Sequence, residues 1–253
     1  MHDVVDAPVA SAPSRVSPQI SVVGEEVTYG TGDDGEPLRG YLVYPSEGAA
    51  QSRPGVIAMH NRWGLTDDMR ATARRLAGEG YTVLAVDLYG GKIPANADSA
   101  EAFAKRVDAH SHAALGNLKA ANAFLRYTRR AHRLAAIGWS FGGAWAIRAG
   151  LFDAKHVHAV VAYYGPPDLD RADLARLRGP LLGLYGGADE SIPMDDIRAF
   201  KHELDALGKT STIKIYDGAK HGFANPSGDT YDSAAADDAW QRMTEFLRQY
   251  LSG

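Results

Sequence analysis

The stretch His132–Gly150, HRLAAIGWSFGGAWAIRAG, leaves the chain few ways to fold around it. Leu134-Ala135-Ala136-Ile137 is a short apolar run that suits a buried strand, and from Phe141 to Leu151 the chain is Ala-rich with apolar residues at helical spacing. Between them stands Gly138-Trp139-Ser140-Phe141-Gly142, a G-x-S-x-G, followed by Gly143. A strand that turns sharply into a helix around a serine forces that serine into a strained backbone conformation, and the flanking positions have no room for a β-carbon. The turn leaves the Ser140 hydroxyl exposed at the strand end, beside the amides of a helix start. That is a seat for a nucleophile. The five residues alone could be an ordinary glycine-rich turn; the strand before, the helix after and suitable partners downstream give them weight.

The rest of the chain supplies the setting. Glu26–Tyr29 and Leu38–Tyr44 read as strands joined by the turn-rich segment Gly30–Pro37, an antiparallel hairpin at one sheet edge. Val56–Met59 is apolar enough for a buried strand. Thr66 can cap a helix to about Ala77, with Asp67 and Asp68 favouring its dipole. Tyr81–Val86 is the next strand, and a long helical region runs from Ser99 to about Arg129, started by Asp98 with Glu101 in capping-box register. After the Ser140 helix come strand His158–Tyr164, strand Leu181–Tyr185, helix Met194–Leu207, strand Thr212–Tyr216 and a closing amphipathic helix Asp237–Leu251. Such alternation predicts a mostly parallel sheet with an antiparallel N-terminal edge and helices on both faces. Ligands on such sheets bind beyond the carboxyl ends of the strands, so catalytic groups are sought just after a strand.

Two segments meet that condition. Gly186-Gly187-Ala188-Asp189-Glu190 follows one strand, and Tyr216-Asp217-Gly218-Ala219-Lys220-His221-Gly222-Phe223 follows the last. A serine hydroxyl is a poor nucleophile near neutral pH. His221 would take its proton during attack and return it to the leaving group, worth roughly 10²–10⁴ in rate. Asp189 would hold the imidazole tautomer and stabilise the cation. Glu190 or Asp217 could stand in for Asp189, although Asp217 lies too close in sequence to His221 to approach it easily from a separate loop. His156 and His158, on one face of a strand with no acidic partner in view, read as structural.

At 253 residues with 45% hydrophobic and 23% charged content, the chain is sized for one α/β domain, expected over 21–253 after a flexible tail over 1–20. A net charge of −4 with no basic run argues against a nucleic-acid partner, and no apolar run is long enough for a membrane span. With no cysteine, disulfides, thiolate metal sites and a cysteine nucleophile are excluded. Residues 1–18 lack the charged start and apolar core of an intact signal peptide. A soluble protein is expected, with the cytoplasm favoured and the periplasm or exterior open to it after signal removal.

The chain is similar, over nearly all of its length after about residue 22, to the dienelactone hydrolase family of α/β-hydrolases. The matching pieces are His60-Asn61-Arg62-Trp63-Gly64-Leu65, Asp87-Leu88-Tyr89, Gly138-Trp139-Ser140-Phe141-Gly142-Gly143, Gly186-Gly187-Ala188-Asp189 and Lys220-His221-Gly222-Phe223. The resemblance implies an α/β-hydrolase fold and a Ser140, Asp189, His221 triad. It also implies an oxyanion hole from the backbone amides of Phe141 and Arg62, where each donor can be worth roughly 2.7–4 kcal/mol. Two departures carry information. The founding members use a cysteine controlled by a glutamate, whereas Ser140 and Asn61 stand at those positions here. A serine needs an adjacent base rather than a carboxylate tuned to a thiol, so the two changes agree. Asn225 stands where the family places an arginine for a lactone's carboxylate, which points away from anionic dienelactone and towards general carboxylic esters.

Trp63, Tyr89, Trp139 and Phe223, with Asn61 and Asn225, are candidates for the pocket wall, although Trp139 and Phe223 could equally pack the loops. The expected protein is a cofactor-free, metal-free serine hydrolase of small esters or lactones, a monomer or homodimer. A thioesterase or peptidase on the same fold, or a non-catalytic binding protein that retains it, are the alternatives.

Overall fold

The computed structural model describes residues 20–48, 51–167 and 170–252. The tail expected over 1–20 therefore lies outside the described residues, Ile20 excepted. Eight strands build one sheet: β1 (Val22–Thr31), β2 (Pro37–Pro45), β3 (Gly55–Met59), β4 (Thr82–Val86), β5 (Leu134–Trp139), β6 (Ala159–Tyr163), β7 (Leu181–Gly186) and β8 (Ser211–Tyr216). Their spatial order is β1-β2-β4-β3-β5-β6-β7-β8. The β1–β2 and β2–β4 pairs are antiparallel and every other pair is parallel, which gives the expected antiparallel edge.

Every residue of β3 to β7 is buried. Short apolar runs such as Gly-Val-Ile-Ala-Met in β3 have no polar face to show water, so they fold only where helices cover both sides. One face is covered by α1 (Asp67–Gly78) and α7 (Ser233–Leu251). The other carries α2 (Ala97–Ala109), α3 (Ser111–Ala123) and α4 (Phe141–Phe152). A single turn, α5 (Arg171–Leu174), precedes β7, and α6 (Met194–Ala206) packs beside β8. The amphipathic stripe of α7 sets Met243, Leu247 and Leu251 wholly inside the core, each contributing about 1.5–3 kcal/mol of burial. No helix among the described residues is long and apolar enough to cross a membrane.

Several local expectations are corrected. The helical region from Ser99 onwards is two α-helices broken at His110, the second running on into a π-helical turn over Phe124–Thr128. At His110 the imidazole Nδ1 bonds the Arg106 carbonyl at 2.8 Å, and the backbone leaves the helix at φ −111°, ψ 43°. A side chain that satisfies a carbonyl itself removes the incentive to continue the ladder. The start of α2 is capped by Asn96, not Asp98: Asn96 Oδ1 accepts the Ser99 amide at 2.9 Å and Ser99 Oγ accepts the Asn96 amide at 3.1 Å. Thr66 holds the cap position of α1, but its hydroxyl makes no capping bond. Helix α7 begins four residues before the expected start, because Asp232 accepts the Ala235 amide at 3.0 Å and the small Ala235, Ala236 and Ala239 are buried. The turn α5 was not anticipated. His156 precedes β6 instead of lying in it, and it does have an acidic partner, Asp153, at 2.7 Å.

Candidate active site

The nucleophile candidate sits at the tip of β5. Ser140 has φ +56° and ψ −119°, a conformation rarely adopted by residues with a side chain, and α4 starts on the next residue. The turn is so tight that a β-carbon on Gly138 would fall 1.9 Å from the carbonyl oxygen of Gly142. The Ser140 amide is tied to Tyr163 O at 2.9 Å, which seats the turn on the end of β6.

His221 and Asp189 approach from the loops after β8 and β7. Gly187 N donates to Tyr216 O at 2.7 Å and Ala188 N to Ala219 O at 2.9 Å, so the two loops continue to hold each other past the strand ends. His221 Nε2 lies 2.7 Å from Ser140 Oγ, and its Nδ1 lies 2.7 Å from Asp189 Oδ2. The Asp189 side chain is 1% exposed, whereas the His221 side chain is 31% exposed. Burial alone would push the Asp189 carboxyl up. Hydrogen bonds from His221 and from the amides of Ser191 and Ile192 outweigh it and hold the group below the usual carboxylate value. A hydroxyl in this setting can pass its proton to the imidazole as it attacks an electrophile, while the buried carboxylate steadies the resulting cation. Neither Glu190 nor Asp217 bonds the imidazole, although both were open alternatives.

The loop after β3 closes a second side. Trp63 N donates to Asn61 Oδ1 at 2.9 Å, and the Tyr89 hydroxyl donates to Arg62 O at 3.2 Å. Among the described residues the amides of Arg62 and Phe141 donate to no protein acceptor. Unpaired amides at a strand-end loop and a helix start suit an anion.

Beside this edge opens a cleft of about 300 Å³ lined by Asn61, Trp63, Ile93, Pro94, Asn225 and Ser227, together with Thr66 and Asp68. Among the described residues no cation lines it. The structure places the other expected pocket residues elsewhere. Phe223 is fully buried against Tyr164 and Tyr216. Trp139 is 7% exposed and stacks on Tyr163 at 5.4 Å between centroids. Tyr89 packs behind the β3 loop, its ring against His60, Phe103 and Phe141. All three are aromatic residues whose orientation, not their position in the chain, decides whether they face the cleft. A larger depression of about 610 Å³ lies at the far end of the sheet, beside Phe152, Lys155 and Lys209, and contains none of these residues.

Three supporting residues were not singled out from the sequence. Tyr164 packs edge-on against the His221 ring at 5.1 Å, and Thr230 Oγ1 donates to His221 O at 2.6 Å. The third, His60, is wholly buried behind the β3 loop. A histidine directly after a strand at the active edge was the available signal. Nothing in the sequence marks Thr230. Among the described residues no group of three His, Asp or Glu side chains is arranged to hold a metal ion.

Comparison with known proteins gives concordant matches. A model of the dienelactone hydrolase family matches residues 38–251. "Protein usf" of Aquifex pyrophilus is 30% identical over 232 residues, covering 87% of this chain and 96% of that protein. "Putative carboxymethylenebutenolidase" of Escherichia coli K12 is 33% identical over 215 residues, covering 78% of this chain and 77% of that one. A solved structure from Klebsiella pneumoniae, titled a "Putative Dienelactone Hydrolase", superposes with a TM-score of 0.79 at 27% identity, over 91% of this chain and 100% of the other. The fold is that of the α/β-hydrolases.

Proposed function

The chain belongs to the dienelactone hydrolase family, a family of hydrolases, and from that membership together with the site geometry we propose that it is a serine hydrolase of small, uncharged carboxylic esters or lactones. The observation that carries this reading is the unbroken line Ser140 Oγ, His221, Asp189, with 2.7 Å at each step.

Ser140 attacks the acyl carbon as His221 Nε2 takes its proton, and the carbonyl oxygen becomes an oxyanion against the Phe141 and Arg62 amides. Collapse expels the alcohol, which receives the proton from His221, and leaves an acyl-enzyme. Water then repeats the sequence with His221 as base, releasing the acid and restoring the serine. Asp189, ionised throughout, keeps the Nδ1–H tautomer and stabilises the imidazolium. No cofactor enters any step. The cleft lining supports uncharged substrates: among the described residues Asp68 is its one charged member and would repel a carboxylate, while the Arg62 guanidinium is stacked over the Trp63 ring. Trp63, Ile93 and Pro94 offer it an apolar wall.

The test is a panel of aryl esters, thioesters, lactones and their carboxylate-bearing analogues, run with wild type and Ser140→Ala. Hydrolysis of uncharged esters that falls by about 10³-fold or more in the variant supports the assignment. Equal rates in the two proteins would exclude Ser140 as nucleophile. Thioesters as the best substrates would favour the thioesterase alternative on the same fold.

A further inference from the structure

His60 follows β3 directly and is 0% exposed. Its two ring nitrogens have different partners. The Leu88 amide points at Nε2 from 3.1 Å, and the Asn61 carbonyl oxygen lies 2.6 Å from Nδ1. An amide can only donate, so Nε2 must offer its lone pair. The single proton of a neutral imidazole is then on Nδ1, where it donates to Asn61 O. Burial pushes the imidazole below its ordinary value, which keeps it neutral near pH 7. The ring is clamped in plane by Tyr89, at 4.6 Å between centroids, and by Phe141, stacked at 6.0 Å.

The Asn61 carbonyl and the Arg62 amide belong to one planar trans peptide, so they point in opposite directions. A donor that holds the carbonyl inwards holds the N–H outwards. The same carbonyl also accepts the Gly64 amide at 3.2 Å, and the next one, Arg62 O, is held by the Tyr89 hydroxyl. Of these contacts only the short one from His60 comes from a buried side chain onto the peptide that carries the Arg62 N–H.

We infer that His60 is a positioning residue for the oxyanion hole: through Nδ1–H it fixes the Asn61–Arg62 peptide so that the Arg62 amide faces the acyl oxygen. This rests on the serine hydrolase reading above. Hydrogen bonding at the carbonyl also polarises the peptide and makes its N–H the stronger donor. The Nε2 contact ties the same ring to the loop after β4, which gives it a fixed base from which to act.

Two amide side chains separate this role from packing. In His60→Asn the side-chain nitrogen reaches the place of Nδ1 and keeps the donor to Asn61 O. In His60→Gln the amide reaches the place of Nε2 and keeps the acceptor for Leu88 N. The readouts are kcat and KM on an uncharged aryl ester, and inhibition by phenylboronic acid, which forms a tetrahedral anion on Ser140. Loss of an oxyanion donor itself costs about 10²–10³ in kcat, so His60→Gln is expected to lower kcat by roughly tenfold to a hundredfold. KM should stay within about threefold, since the interaction is made in the transition state. Boronate affinity should fall in step with kcat, and His60→Asn should recover most of both.

A His60→Gln protein with undiminished kcat, or equal losses in both variants with boronate binding unchanged, would overturn the inference. The hydrolase reading fails separately: there, wild type and Ser140→Ala would turn over alike, and the role of His60 would fall with it. Nitrogen NMR of histidine-labelled wild type adds a check that needs no turnover. A protonated Nδ1 and bare Nε2 are expected near pH 7 and above, and an Nε2–H tautomer there would count against the role.

Discussion

A β-carbon placed on Gly142 would fall 2.4 Å from the carbonyl oxygen of His60. The start of α4 and the loop after β3 thus meet backbone to backbone, and the two proposed oxyanion donors are set against each other by a contact that only glycine permits. Gly142→Ala must push these segments apart. It is expected to cost about 1–3 kcal/mol of stability, as overpacking does, and to lower kcat more than it raises KM. Denaturant melts and steady-state kinetics on one ester measure both. A variant as stable and as active as wild type would show that the contact is dispensable.

Asp189→Asn keeps the shape of the acid but removes its charge, and it lets the imidazole adopt the wrong tautomer. By analogy with the serine protease triad, kcat is expected to fall by roughly 10⁴, with the fold intact by circular dichroism. A loss of less than tenfold would move the orienting role to another group.

Asp189 also makes stability depend on pH, and the sign follows from its lowered native value. In the unfolded chain it titrates near about 3.9. Its contribution is fully present above that value and is lost as pH falls through the lower native one. The stability that wild type holds over Asp189→Asn should therefore shrink as pH falls below about 4. Urea titrations at stepped pH read it. A difference between the two proteins that does not move below about pH 4 would show that Asp189 is not held below its unfolded value.

Asn225→Arg would put a cation on the wall of a cleft whose one charged lining residue among those described is Asp68. An ester carrying a free carboxylate on its acyl side should gain about tenfold in kcat/KM, the equivalent of about 1.4 kcal/mol, and its uncharged counterpart should gain nothing. No change in the ratio of the two would mean that the acyl group does not reach Asn225.

Asn96→Ala removes the capping box at the start of α2, far in sequence from Ser140, Asp189 and His221. A loss of about 1 kcal/mol is expected, with kcat unchanged. Substituting Asp98 should cost much less, since Asp98 sits in the first turn and does not cap it.

The parts of the fold that were legible are those where chain chemistry permits one environment. The buried runs β3 to β7, with no polar face, could only be interior strands, and the glycines around Ser140 could only serve a tight turn. Ser140 and Asp189 were readable because each follows such a strand, and His221 because it follows the last strand, β8. What stayed hidden depends on orientation in space. The sequence around His110 is polar but not forbidden in a helix, and the break comes from a ring bonding back onto Arg106. Tyr89, Trp139 and Phe223 are aromatic residues at the active edge, like Trp63, yet only Trp63 lines the cleft. His60 stood out only as part of the His60–Leu65 segment, since its significance lies in which nitrogen faces Asn61.

The backbone of Ser140, at φ +56° and ψ −119°, is one that glycine adopts freely and serine only under constraint. Such a conformation costs on the order of 1–3 kcal/mol. The residue that folds best at this position is therefore not the one that can react. A library of this chain selected only for resistance to heat should drift to glycine at position 140, and one selected for turnover should keep a nucleophilic side chain there. Stability and the proposed chemistry thus pull on that single site in opposite directions.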